Sequence, residues 1–176
     1  MSSNLDLAAR IHGVAHLEGS FRLRSGRVAT EYFVKYRFES DHGLLREIAQ
    51  GMAERIPTRV HGLAGLELGG IPLATMLSSV TGLPAYFVRK EAKKYGTERQ
   101  VEGGEVEGLH LLVVEDVVTS GGQVVLSTDD LRAAGAVITD ALCVIDRESG
   151  ARETLTASGI TLHALFTMSE LTSAAG

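Results

Sequence analysis

Two carboxylates stand side by side at Glu115 and Asp116, directly after the apolar run LLVV at 111–114, and the segment Val117, Val118, Thr119, Ser120, Gly121, Gly122 and Gln123 follows them. Two acids at the end of a buried strand are expected to face solvent or a ligand, because burying both unpaired is costly. The Thr-Ser-Gly-Gly run then opens a helix. Backbone N–H groups at a helix start lack partners, the hydroxyls add donors, and glycine lets a ligand approach closely, so the segment reads as a phosphate cradle. Carboxylates beside it can accept hydrogen bonds from sugar hydroxyls. The combined ligand is a ribose phosphate; the plainer alternative is a strand-to-helix turn with an ordinary Thr or Ser cap.

A second chemistry-bearing stretch is basic. The chain of 176 residues carries 17 basic and 22 acidic side chains for a net charge of −5. Residues 86–100 hold Arg89, Lys90, Lys93, Lys94 and Arg99 against only Glu91 and Glu98, so this stretch is +3 and the remainder −8. Another basic group, Arg22, Arg24, Arg27, Lys35 and Arg37, is opposed only by Glu31. An acidic protein that gathers its cations in two short segments is suited to a small polyanion, and its overall sign argues against nucleic-acid binding. An isolated run of this kind also reads as a solvated basic loop. Arg147, a planar fork suited to a carboxylate, has pairing with Asp146 as its alternative.

Other titratable groups carry less. Cys143, between Leu142 and Val144, reads as a buried small hydrophobe. Among six histidines only His12 and His16 share helical spacing, which suggests a surface pair and no closed metal site.

The elements that must position these groups alternate between helix and strand. Ser40 or Asp41 caps a helix whose Leu44, Leu45, Ile48, Met52 and Ile56 recur at helical spacing up to Pro57. A strand over 60–66, a helix through Ala74, Met76, Leu77 and Val80, and a strand over 84–88 follow. Residues 89–108 lack apolar periodicity and contain four glycines, so they read as a long exposed loop, which in a compact domain is either a misassigned element or a functional lid. The clearest strand, 109–114, ends at the acidic pair. A helix from 122 to about 134, a strand over 136–145 ending at Asp146 and Arg147, a helical turn over 153–158 and a last strand over 160–166 complete the pattern. The fold class is α/β, a central parallel sheet with helices on both faces, and ligands in such sheets bind beyond the carboxyl ends of the strands. No linker divides the chain, so one domain spans 1–176. No apolar run approaches the ~20 residues of a membrane span, and the first ten residues lack a signal-peptide core; a cytoplasmic protein without membrane partners is expected.

The segment 111–123 resembles the phosphoribosyl-pyrophosphate motif of the type I phosphoribosyltransferases, and three further stretches are similar to the orotate-specific members. These are FRLRSG at 21–26 with Tyr32 and Phe33, GGIPLA at 69–74, and RKEAKKYG at 89–96. The resemblance implies transfer of the phosphoribosyl group of phosphoribosyl pyrophosphate to orotate, giving orotidine 5′-monophosphate in pyrimidine biosynthesis, with Mg2+ held mainly through the donor. It implies that Glu115 and Asp116 hold the ribose hydroxyls, that residues 117–123 wrap the 5′-phosphate, and that Arg24 contributes to the donor site. Arg89, Lys93 and Tyr95 would reach the pyrophosphate while Lys90 serves the other subunit of a homodimer. Lys93, Asp116 and Arg89 are the implied catalytic groups; Tyr32, Phe33, Thr119 and Arg147 would meet orotate. Residues 1–38 would form an N-terminal hood and 89–108 a mobile catalytic loop. The chain departs from the family pattern at Arg24, Gly69, Tyr95 and Glu115, where lysine, lysine, histidine and aspartate are usual. Two other readings stay open: a purine or uracil salvage phosphoribosyltransferase, and a non-catalytic metabolite sensor on the same fold.

Overall fold

A computed structural model describes residues 4–22, 26, 28–90 and 100–176. Thirty-odd residues of strand sequence assemble into a six-stranded sheet because their apolar side chains alternate between two faces that both need cover. In chain order the sheet strands are β3 (Gly62–Leu66), β4 (Ala85–Val88), β5 (Val101–Glu102), β6 (His110–Val118), β7 (Val137–Asp146) and β8 (Thr161–Thr167). They are arranged β5-β4-β3-β6-β7-β8, all parallel except β5, which runs antiparallel to β4. Leu112, Val114, Leu142 and Val144 point into one core, and Leu111, Val113, Ala141 and Cys143 into the other.

The first core is covered by α1 (Asn4–Ala15), α3 (His42–Ala53), α4 (Gly70–Thr81) and α7 (Met168–Ala175), the second by α5 (Gly122–Ala133) and α6 (Ala151–Ala157). The helix expected after Asp41 forms as α3: the Asp41 carboxylate accepts from Gly43 N and Leu44 N at 2.9 and 3.0 Å, and Leu44, Leu45, Ile48 and Met52 are buried. Cys143 is fully buried, and desolvation pushes its thiol well above the ordinary range, as a small core hydrophobe requires.

Three local expectations change. The strand before the acidic pair does not end there: β6 continues through Glu115 and Asp116 to Val118, because β7 offers partners as far as Asp146. The long loop is shorter than 89–108, since β5 turns back along β4 and buries Val101, and Val106 is buried after it. The N-terminal stretch holds α1, an antiparallel hairpin of β1 (His16–Arg22) and β2 (Val28–Phe33), and the short helix α2 (Tyr36–Ser40), within which residue 38 falls.

Candidate functional site

The carboxyl end of β6 brings the acidic pair to the edge of both cores. Glu115 is half-buried, but Asp116 is fully buried, contrary to the expectation that both face outward. Its charge is not left unpaired. Lys35, immediately before α2, places Nζ 2.9 Å from Asp116 Oδ1 and 2.8 Å from Oδ2, and Val117 N donates to Oδ1 at 2.6 Å. This partner explains the burial: a lysine ammonium and a backbone donor replace the water that the carboxylate gives up.

Glu39, on α2 and 8% exposed, also meets Asp116. Burial alone would raise all three carboxyls. At Asp116 it is outweighed by hydrogen bonds from Glu115, Glu39 and Lys35 and by the Lys35 charge, which hold the group below its ordinary value. At Glu39 and Glu115 burial dominates, and the neighbouring Asp116 adds to it, so both lie well above the carboxylate range and stay protonated near neutrality. Lys35 itself is raised, the desolvation that lowers it being outweighed by Asp116.

Gly69 makes room for this arrangement. A Cβ at that position would overlap Asp116 Oδ2, and one at Gly70 would overlap Val114 O, so the start of α4 is pressed against β6 by two residues without side chains. The absence of a lysine at 69 is therefore a packing requirement of Asp116 as it is placed here.

Residues 119–121 turn from β6 into α5. Gly121, at φ +81°, is the N-cap of α5 and contributes no side-chain cap. The ordinary Thr or Ser cap is thus not realised: Thr119 and Ser120 are exposed, and with Glu115 and residues 117, 118 and 121–124 they line a cavity of about 160 Å³. The helix start faces that cavity with its donors and the positive end of its dipole.

A second cavity, about 510 Å³, is lined by Tyr36, Glu67, Leu68, Arg89 and Lys90. Arg89 sits at the end of β4, where its N–H donates to Gln100 O at 2.9 Å and Gln100 Nε2 returns a bond to Arg89 O at 3.3 Å. Lys90 N donates to Glu67 Oε2 at 3.0 Å. These bonds fix both ends of the basic segment. Lys93 and Tyr95 in its middle, and Arg24 of the N-terminal motif, lie outside the described residues.

The third cavity, about 840 Å³, collects Tyr32 and Phe33 from β2, Arg147 from the end of β7, and Met168 and Thr172 from α7. His12 and His16 line it as well; their rings stack at 4.6 Å and both are half-buried, so they are more than a surface pair. Asp146 does not take Arg147: its carboxylate pairs with Arg152 at 2.8 Å and accepts from Glu148 N at 2.9 Å, and Arg147 stays exposed. Thr119 lines the cradle and is not among the residues of this third cavity. The structure thus gathers the described residues singled out in the sequence around three cavities: one at the start of α5, one lined by Arg89 and Lys90 beside Glu67, and one that holds Tyr32, Phe33 and the exposed Arg147. Lys35 and Glu39 escaped the sequence reading as members of the site. The one signal was the four-residue spacing that puts both on one face of a helix, with Lys35 already in the second basic group.

Comparison with known proteins places the chain in a family. The family model described as a phosphoribosyl transferase domain matches residues 41–164. The orotate phosphoribosyltransferase of Nocardioides sp. is 47% identical over 174 residues, 99% of this chain and 97% of that one. The crystal structure of Mycobacterium tuberculosis orotate phosphoribosyltransferase in complex with Fe(III) dicitrate is similar at TM-score 0.87 and 31% identity, covering 96% of this chain and 98% of that chain. A structure of the tuberculosis enzyme in complex with 5-phospho-α-D-ribosyl 1-diphosphate gives TM-score 0.83 and 27% identity over 96% and 98%.

Proposed function

The chain belongs to the phosphoribosyltransferase family, among relatives that are orotate phosphoribosyltransferases, and from that premise we propose how its residues carry out the transfer. The protein moves the phosphoribosyl group of phosphoribosyl pyrophosphate to orotate, forming orotidine 5′-monophosphate and pyrophosphate in pyrimidine biosynthesis. The observation that carries this reading is the adjacency of an uncapped helix start, a buried and paired Asp116, and an exposed Arg147 in an aromatic cavity.

The 5′-phosphate sits on the cradle of residues 117–123, where backbone donors and the helix dipole meet its charge. Glu115 and Asp116 take the ribose hydroxyls. Arg89 and Lys90 line the pocket for the departing diphosphate, joined by Lys93, Tyr95 and Arg24. As the C1′–O bond breaks, the electron pair leaves with pyrophosphate and positive charge grows on the sugar ring; the orotate ring nitrogen then bonds to C1′ and loses its proton. Cations around the diphosphate stabilise this state more than the bound donor, which is what accelerates the step. The basic segment that starts at Arg89, shortened from 89–108 by the pairing of β5 with β4, acts as a lid that excludes water from the reactive carbon. Tyr32 and Phe33 flank the orotate ring, Thr119 reaches it from the cradle, and Arg147 grips its carboxylate with a fork that lysine cannot match.

Among the described residues no group of three or more His, Cys, Asp or Glu can hold a metal ion, and Lys35 occupies the Asp116 carboxylate. A magnesium ion arriving with the donor would supply charge neutralisation at the diphosphate, in the cavity that Arg89 and Lys90 line. Lys90 serves the site of a second subunit in a homodimer, with residues 1–38 as the hood of one domain. No helix among the described residues is long and apolar enough to cross a membrane. Mixing protein, magnesium and phosphoribosyl pyrophosphate with orotate should lower the orotate absorbance. Turnover with uracil or a purine instead would overturn the acceptor, and binding of the donor without turnover of any base would favour the sensor.

A further inference from the structure

Lys35 and Glu39 are one helical turn apart at α2, and both are directed at the same buried oxygen pair. Lys35 Nζ lies 2.9 and 2.8 Å from the two Asp116 oxygens, and Glu39 approaches the same group from the next turn while remaining almost wholly buried. Glu115 borders Asp116 along the strand, and the Gly69 backbone lies so close to Asp116 Oδ2 that a Cβ would overlap it. Two buried carboxyls and the half-buried Glu115 thus gather around one half-buried ammonium. Such a cluster holds together only when a single carboxylate is ionised and the cation is its counter-charge. The ammonium also spans both Asp116 oxygens, so it sets the orientation of the carboxylate as well as its charge.

We propose that Lys35 is a positioning residue for phosphoribosyl transfer: it keeps the Asp116 carboxylate ionised and fixed in the orientation that receives the ribose hydroxyls, without touching substrate itself. Helix α2 thereby belongs to the reaction machinery. The proposal rests on the reading of Asp116 as a ribose-binding group. The charged and titratable neighbours that face Asp116 are Lys35 and Glu39 from α2 and Glu115 from β6. Removing the one cation leaves burial, which raises the proton affinity of Asp116, opposed only by the hydrogen bonds from Glu39 and Glu115, so the acid limb of activity must rise.

The test compares wild type with K35M and K35R, following kcat and kcat/KM between pH 5 and 9 together with thermal melting. K35M should shift the acid limb upward by about 1–3 units, the usual effect of one opposite charge at this distance. Below both limbs, each unit of displacement lowers turnover about tenfold, and the deficit narrows towards pH 9. K35R, which keeps the charge, should bring the limb back towards the wild-type position. If K35M does not fold, K35Q supplies the uncharged variant. A loss of activity that is parallel at every pH, or an unmoved limb, would overturn the proposal. D116N separates the two ideas: wild-type turnover in D116N would overturn the ribose role itself, whereas an inactive D116N beside an unshifted K35M limb would overturn the Lys35 proposal alone.

Discussion

At the level of single residues, Arg147 owes its availability to its neighbours. Arg152 takes the Asp146 carboxylate, and the turn after Arg147 is clasped by Glu148, which accepts from Ser169 N at 2.9 Å and Ser169 Oγ at 2.5 Å. Those two bonds hold the Glu148 carboxyl below its ordinary value. The guanidinium is therefore presented on a fixed turn, in the cavity that also holds Tyr32 and Phe33. Hydrogen bonds to charged groups contribute about 1.5–3 kcal/mol, so R147A should raise KM for orotate by roughly ten- to a hundredfold while leaving KM for the donor nearly unchanged. R147K should recover only part of the loss, because an ammonium cannot form the paired bonds. Steady-state kinetics with each substrate varied in turn checks both; equal effects on the two substrates would contradict the assignment. The acidic pair and the cradle were legible because their chemistry is local, within nine consecutive positions. The Lys35 contact was not, since it joins residues 81 positions apart that no spacing rule connects.

Helices and strands show the same division between local and distant signals. Helix α3 was readable from its cap and its 3.6-residue stripe, and Asp41 does satisfy two of its first N–H groups. The D41A variant should lose about 0.5–2 kcal/mol of stability, measured by urea or thermal denaturation, whereas an unchanged midpoint would deny the cap its role. The end of β6 is hidden in the sequence because two charged residues look like a stop. Continuation to Val118 depends on ladder partners in β7 and on Lys35, neither of which is visible in the strand itself. The β1–β2 hairpin left little trace: its strands are largely exposed, so they lack the one-sided apolar alternation by which a packed strand announces itself. Strand β5 is two residues long and exists through pairing with β4 alone.

Across the whole molecule, charge sets a pH dependence that composition alone did not suggest. Glu39 and Glu115 are raised from 4.5 to about 9 in the folded state. A group held neutral by folding contributes fully below its unfolded value, and that contribution declines as pH rises towards the folded value. Stability should therefore fall between about pH 4.5 and 9, and E39Q should flatten the decline; Asp116, lowered by its partners, acts oppositely and loses its contribution only at acid pH. Urea midpoints across this range provide the check, and a level wild-type profile would contradict the protonated acids. The same molecule-wide division, an acidic body with cations gathered beside its cavities, underlies the account of donor and acceptor recognition. The most direct measurement of that account offers the protein magnesium, phosphoribosyl pyrophosphate and an equimolar mixture of orotate, uracil, adenine and hypoxanthine, and identifies the nucleotides by mass. Orotidine 5′-monophosphate as the dominant product is the predicted result; a uracil or purine nucleotide in its place, or no nucleotide at all, would contradict it.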